Sequence, residues 1–151
     1  MHYALDITLQ NRKLLNSFIE KFSLEDLNKV PSGFNNNLIW NIAHVIVTQQ
    51  LLVYNLSELP MMASDDMVAK YRKGTKVESD VTQDEVNEIK NLLFSSIEQM
   101  KTDYERGVFK NYTTYTTSTN STMSCVEDAI KFNNFHEGIH LGYILALKKS
   151  L

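Results

Sequence analysis

Residues 132–149 read FNNFHEGIHLGYILALKK, and two histidines four residues apart in this stretch decide how the rest of the chain is read. At 100° per residue, Ala129, Phe132, Asn133, Ile139, His140, Tyr143 and Leu147 fall within about 60° of His136, whereas Lys131, Asn134, Gly138 and Lys149 fall on the far side. That pattern describes a helix with both imidazoles pointed at the core. At this spacing the two Cβ atoms are about 5–6 Å apart, so both rings can reach one ion, and neutral imidazole is a common metal ligand. Two ligands are too few, because a zinc-type centre takes at least three from the protein. Without a third, the pair reads as hydrogen-bonded core histidines.

The third candidate lies in LIWNIAHVIVTQQLLVYNLS, residues 38–57, a second long helix for which Asn37 is a good N-cap. Asn37, Trp40, Thr48, Leu51 and Asn55 fall within about 40° of His44. Ile39, Ile42, Ile46 and Val53 cover the opposite face. A helix that is apolar nearly all round is buried on more than one side, either central in its bundle or also pressed against a second subunit. A four-helix bundle gives each helix one inward stripe, so the sequence predicts a homodimer that covers the other face.

The remaining segments are helical almost throughout. Residues from about Tyr3 to Phe22 place Leu14, Leu15, Phe18, Ile19 and Phe22 at helical spacing, and Ser23 with Asp26 marks a short restart. His2 is too near the free end to serve as a ligand. Pro31, Ser32, Gly33 and Asn35 to Asn37 form a turn. Pro60 ends the second long helix, Ser64 to Tyr71 suit a short helix, and residues 72–76 suit a solvated loop. Residues 58–80 are long for a bundle connection, which a crossover back along the bundle explains. Thr82 and Glu85 form a capping box ahead of a third long helix with a stripe of Val86, Ile89, Leu93, Ile97, Met100 and Tyr104. The Thr-, Tyr- and Ser-rich loop around residues 111–122 favours extended backbone. It reads as a surface crossover, and its place just ahead of the last helix suits folding over one end of the site. That helix opens on Ser124 as N-cap with Glu127 as its partner, and Cys125 stands at the first helical position, where the dipole lowers a thiol pKa. The fold class is all-α, one four-helix-bundle domain over 1–151 with a long crossover between the second and third long helices.

Composition narrows the function. The chain has 151 residues, 43% hydrophobic and 22% charged, with a formal net charge of -3. A chain of this length buries about two thirds of its unfolded surface, and its charge offers no basic field for nucleic acid. One cysteine excludes an internal disulfide and suits a cytoplasmic location. Neither a signal peptide nor an apolar run of membrane-spanning length is present. The string HEGIH, residues 136–140, also matches the metalloprotease pattern H-E-x-x-H. No acidic residue follows His140, and Tyr143 and Ala146 stand where the extended pattern needs glycine and histidine, so protease chemistry is disfavoured. Glu137 then reads as a residue at the edge of the buried face.

LIWNIAHVIVTQQ and, some ninety residues later, NNFHEGIHLGYILALKK resemble the DinB superfamily, which includes the YfiT-like bacillithiol transferases and the mycothiol-dependent maleylpyruvate isomerases. The resemblance is carried by Trp40 and His44, as Trp-x-x-x-His, and by His136, His140 and Gly142, as His-x-x-x-His-x-Gly; the segment SLEDLNKVPSGFNNNLIW is also similar. It implies a four-helix bundle, a divalent ion, zinc or nickel, held by His44, His136 and His140, and frequent homodimers.

Three histidines leave one position of a tetrahedral ion for water or a substrate thiol. Trp40, Thr48 and Asn133 are candidates for contact with a cofactor or substrate, and Tyr143 is the one weak catalytic candidate. The sequence therefore suggests a metal-dependent enzyme acting on a small molecule, with thiol S-transfer onto an electrophile first, because a bound dication deprotonates a coordinating thiol. Its cofactor would be a low-molecular-weight thiol. Metal-dependent hydrolysis and a stress-related bundle that binds a metal or ligand without turnover are the alternatives.

Overall fold

The computed structural model describes all 151 residues, and they are mostly helical. Four long helices, α1 (His2–Lys21), α3 (Leu38–Val53), α5 (Gln83–Glu105) and α6 (Val126–Leu147), are joined by the short helices α2 (Leu24–Asn28) and α4 (Asp65–Tyr71). A 3-10 turn, Asn55–Ser57, follows α3, and a two-stranded hairpin, β1 (Tyr115–Thr116) with β2 (Thr122–Met123), precedes α6. Helix α3 packs on α1, α5 and α6, and α1 packs on α5 and α6. No helix is long and apolar enough to cross a membrane.

Most helix starts follow from their caps. Ser23 and Asp26 form a reciprocal capping box, Asn37 accepts from the Trp40 N–H, and Ser64 accepts from the Met67 N–H. Two starts depart from the sequence pattern. At α5 only the Thr82 half of the box forms, because the Glu85 carboxylate is taken by Lys70 and by the Tyr71 hydroxyl. At α6 the N-cap is Cys125 rather than Ser124, and Ser124 instead donates to Asp128 through its N–H and hydroxyl. Burial, with the side chains of Asp128 and Glu127, holds the Cys125 thiol above its usual range, opposite to the lowering expected at a helix start.

The buried ring around α3 has a different cause from the one read in the sequence. Ile39, Ile42, Ile46 and Val53 are all fully buried within one chain, because helices of the same chain lie on several sides of α3. Those residues need no second subunit. A homodimer would have to use other surfaces.

Helix α6 is also turned relative to its predicted phase. Its buried residues are Val126, Ala129, Ile130, Asn133, Glu137, Ile144 and Leu147, a face centred roughly 60° round the helix from His136. Glu137 is not at an edge. It is fully buried, and one of its oxygens accepts from Arg12 Nε at 2.9 Å, from Arg12 Nη2 at 2.8 Å and from Asn133 Nδ2 at 2.8 Å. Arg12, equally buried on α1, also reaches the Val45 carbonyl of α3. This ion pair links three long helices and fixes which side of α6 turns inward, so His136 and His140 lie beside the core rather than in it. They are half-buried, and Ile139 and Tyr143 are exposed.

Candidate metal centre

The three histidines nominated by their spacing meet in space. His44 on α3 and His136 and His140 on α6 each offer a nitrogen, and these nitrogens lie within 4.8 Å of one another, an arrangement that could hold a metal ion. Ring centroids are 5.1 Å apart for His44 and His136, 4.7 Å for His44 and His140, and 4.6 Å for His136 and His140. The helices α3 and α6 that carry them pack directly together, so the ligand spacing is set by helix packing rather than by loops.

Two of the rings have their tautomers fixed by partners that leave no choice. The Tyr71 carbonyl at the end of α4 can only accept, so His44 donates to it from Nδ1 at 2.6 Å and leaves Nε2 free as a ligand. Asn41 Nδ2 donates to the Asn37 carbonyl at 2.7 Å, which assigns Oδ1 as the atom 2.9 Å from His140 Nδ1. His140 therefore donates from Nδ1 and also presents Nε2. His136 Nδ1 is buried with no partner in the protein. The Thr48 hydroxyl, one turn from His44, donates to His44 Nε2 at 3.3 Å.

Burial also keeps the rings in their ligating, neutral form. It pushes His136 down to about 3, helped by the neighbouring charges of His140, His44 and Arg12, and His140 down to about 4, helped by His44. His44 is lowered by burial, against the opposing hydrogen bond to Tyr71. Three neutral imidazoles suit zinc, nickel, copper or iron and give calcium or magnesium no oxygen ligands. The donor set thus fits the ion that the spacing implies.

The histidines form part of the wall of a cavity of about 600 Å³. Trp40 lies flat on His44, with ring centroids 4.7 Å apart and 10° between planes. Trp40, Thr48 and Tyr143 line the cavity, with Tyr143 edge-on to Phe34. Asn133 does not; it is buried against Glu137 and away from the cavity wall. A smaller cavity of about 360 Å³ shares Trp40 and Thr75 but includes none of the three histidines.

Sequence reasoning missed several contributors. Asn41 was hidden by the apolar run around it, although a lone asparagine three residues before a ligand is a signal that could have been used. The Tyr71 carbonyl is backbone and leaves no side-chain trace. The Thr-rich loop, read as a surface crossover leading over one end of the site, brings Tyr115 and Thr117 to Thr119 to the cavity, positions that its composition did not single out. It is tied to α3 by the Tyr112 hydroxyl donating to the Leu52 carbonyl at 3.1 Å, and its own shape is set by Thr117 accepting from the N–H groups of Asn120 and Ser121.

The Asn41 contact carries a prediction. Asn41→Ala should weaken ion binding by about 10- to 100-fold, the usual effect of removing the partner of a ligating histidine, while leaving the helix content unchanged. Competition with a chromogenic chelator measures it, and an affinity equal to wild type would remove Asn41 from the site.

A search of curated proteins found no match to the chain. A family model described as the DinB superfamily matches residues 7–144. That match includes all three histidines and reaches into each of the four long helices, and the chain belongs to the DinB superfamily.

Proposed function

We propose that this protein is a metal-dependent enzyme that joins a low-molecular-weight thiol to an electrophilic small molecule, with zinc or nickel held by His44, His136 and His140. We read the four long helices as one four-helix-bundle domain, with the segment between α3 and α5 as its crossover. The observation that carries the functional reading is the open cavity onto the three histidines: a non-catalytic site would more naturally be sealed beneath Trp40 and Phe132. When bound, a divalent ion with three neutral ligands supplies a position at which a thiol loses its proton.

The chain's own groups support the rest. Once His44 Nε2 serves as a ligand, the Thr48 hydroxyl loses its acceptor and is free to donate to a group at the histidine end of the cavity. Trp40 and Phe132 give that end apolar walls, which strengthen polar interactions by keeping water out. In the transfer the sulfur–carbon bond forms, the bond to the leaving group breaks with its electron pair, and the thiol proton passes to solvent. No protein cysteine is required, and Cys125 is absent from the cavity wall. Hydrolysis benefits from a positioned general base, and no aspartate or glutamate lines this cavity.

The direct test incubates ion-loaded protein with a panel of biological thiols and a chromogenic electrophile. Wild type is expected to exceed His136→Ala by at least about 100-fold with one of the thiols, the scale on which binding and electrostatic stabilisation act at such sites. Equal rates with every thiol, in protein that still binds its ion, would replace this reading with the non-catalytic bundle.

A further inference from the structure

The cavity wall differs from the rest of the surface in two independent ways. The first is apolar exposure. Nine large apolar side chains stand exposed in the chain, and four of them, Tyr115 (43%), Phe135 (54%), Ile139 (49%) and Tyr143 (38%), line this one cavity. Scattered exposed apolar residues are ordinary, but a concave cluster of them marks a binding surface. The second is charge. No carboxylate lines the cavity, and one formal cation, Lys73, stands in the wall.

Lys73 is exposed and takes part in none of the chain's three ion pairs. It sits on an ordered turn. The Thr75 N–H closes the turn onto the Arg72 carbonyl at 3.2 Å, the Thr75 hydroxyl donates to the Lys70 carbonyl at 2.8 Å, and Gly74 supplies the positive φ of 93° that the third turn position requires. The lysine is thus presented at the cavity by a pinned loop, with no acidic side chain in the wall to neutralise it.

We propose that the cavity selects small molecules with an apolar body and an anionic end, the body lying against Phe135 and Ile139 and the anionic group at Lys73. This rests on the reading that the three-histidine cavity is the ligand site, and it specifies what that site selects. A neutral polar molecule would leave the lysine uncompensated, and a compact dianion would leave the exposed rings and Ile139 in water.

The test uses ion-free protein, so that no carboxylate can bind through a metal. 4-Phenylbutyrate, its neutral amide and succinate are titrated in turn and followed by NMR shifts of the Thr117, Ile139 and Lys73 amides. The acid is expected to bind about fivefold tighter than the amide, the scale of a partly exposed charge pair, and tighter than succinate by at least as much. In Lys73→Gln the acid and amide should come within about twofold of each other, with the amide's affinity unchanged. Equal affinity for acid and amide in wild type, a preference that survives in Lys73→Gln, or succinate matching 4-phenylbutyrate would each overturn the proposal. Because no ion or thiol is present, these outcomes stand apart from success or failure of the transfer assay.

Discussion

Protein purified and mildly dialysed is expected to carry about one divalent ion per chain, zinc or nickel, and His136→Ala treated in the same way to carry almost none. Removing even the partner of a ligating histidine costs about 10- to 100-fold in affinity, so removing one of three ligands should cost more than that. His44→Ala and His140→Ala should behave alike, since the three nitrogens lie within 4.8 Å of one another and no acidic side chain is at hand in the cavity to substitute. Elemental analysis measures the stoichiometry, and circular dichroism checks that the variants are folded. Unchanged ion content in the alanine variants would sink the assignment. A pH series adds a second arm. Unfolded histidines titrate near about 6.5, whereas burial holds His140 at about 4 and His136 at about 3. The unfolded chain therefore binds more protons between these values, and the stability of the ion-free protein should be full above pH ~6.5 and fall as the pH drops toward 4. His136→Ala should flatten that fall.

Glu137→Ala is expected to be among the most damaging single substitutions in the chain, lowering stability by about 3–5 kcal/mol, because it strands the Arg12 guanidinium in the interior. Both side chains are fully buried, and a domain of this size has about 5–15 kcal/mol in total. Denaturant midpoints give the answer. The pair can still be replaced as a unit: Arg12→Met with Glu137→Leu should recover most of the loss, since apolar groups of similar volume often match a buried ion pair. A single variant within about 1 kcal/mol of wild type would mean that Arg12 finds water or another partner.

Helix periodicity and capping residues made most of this fold legible in the sequence. Asn37 and Ser23 cap the helices they were expected to cap, and His44, His136 and His140 stood out from their angular positions within single helices. What escaped depends on partners distant in the chain. Arg12 and Glu137 are 125 residues apart, and a charged residue beside an apolar stripe reads as solvated until its counter-charge is known. The phase of α6 was misjudged for a related reason. Phe132, Ile139 and Tyr143 look like core residues in sequence, but they line a cavity. The far face of α3 was assigned to a second subunit because periodicity counts stripes and cannot show how many helices of the same chain will surround them.

The flat stacking of Trp40 on His44 has an optical consequence. The chain contains one tryptophan, so its entire indole emission originates against a candidate ligand ring, at the edge of the cavity. Intrinsic fluorescence is in most proteins an average over scattered chromophores. Here it is a local spectrum of the three-histidine centre, and an unlabelled sample reports on events there against no other indole background.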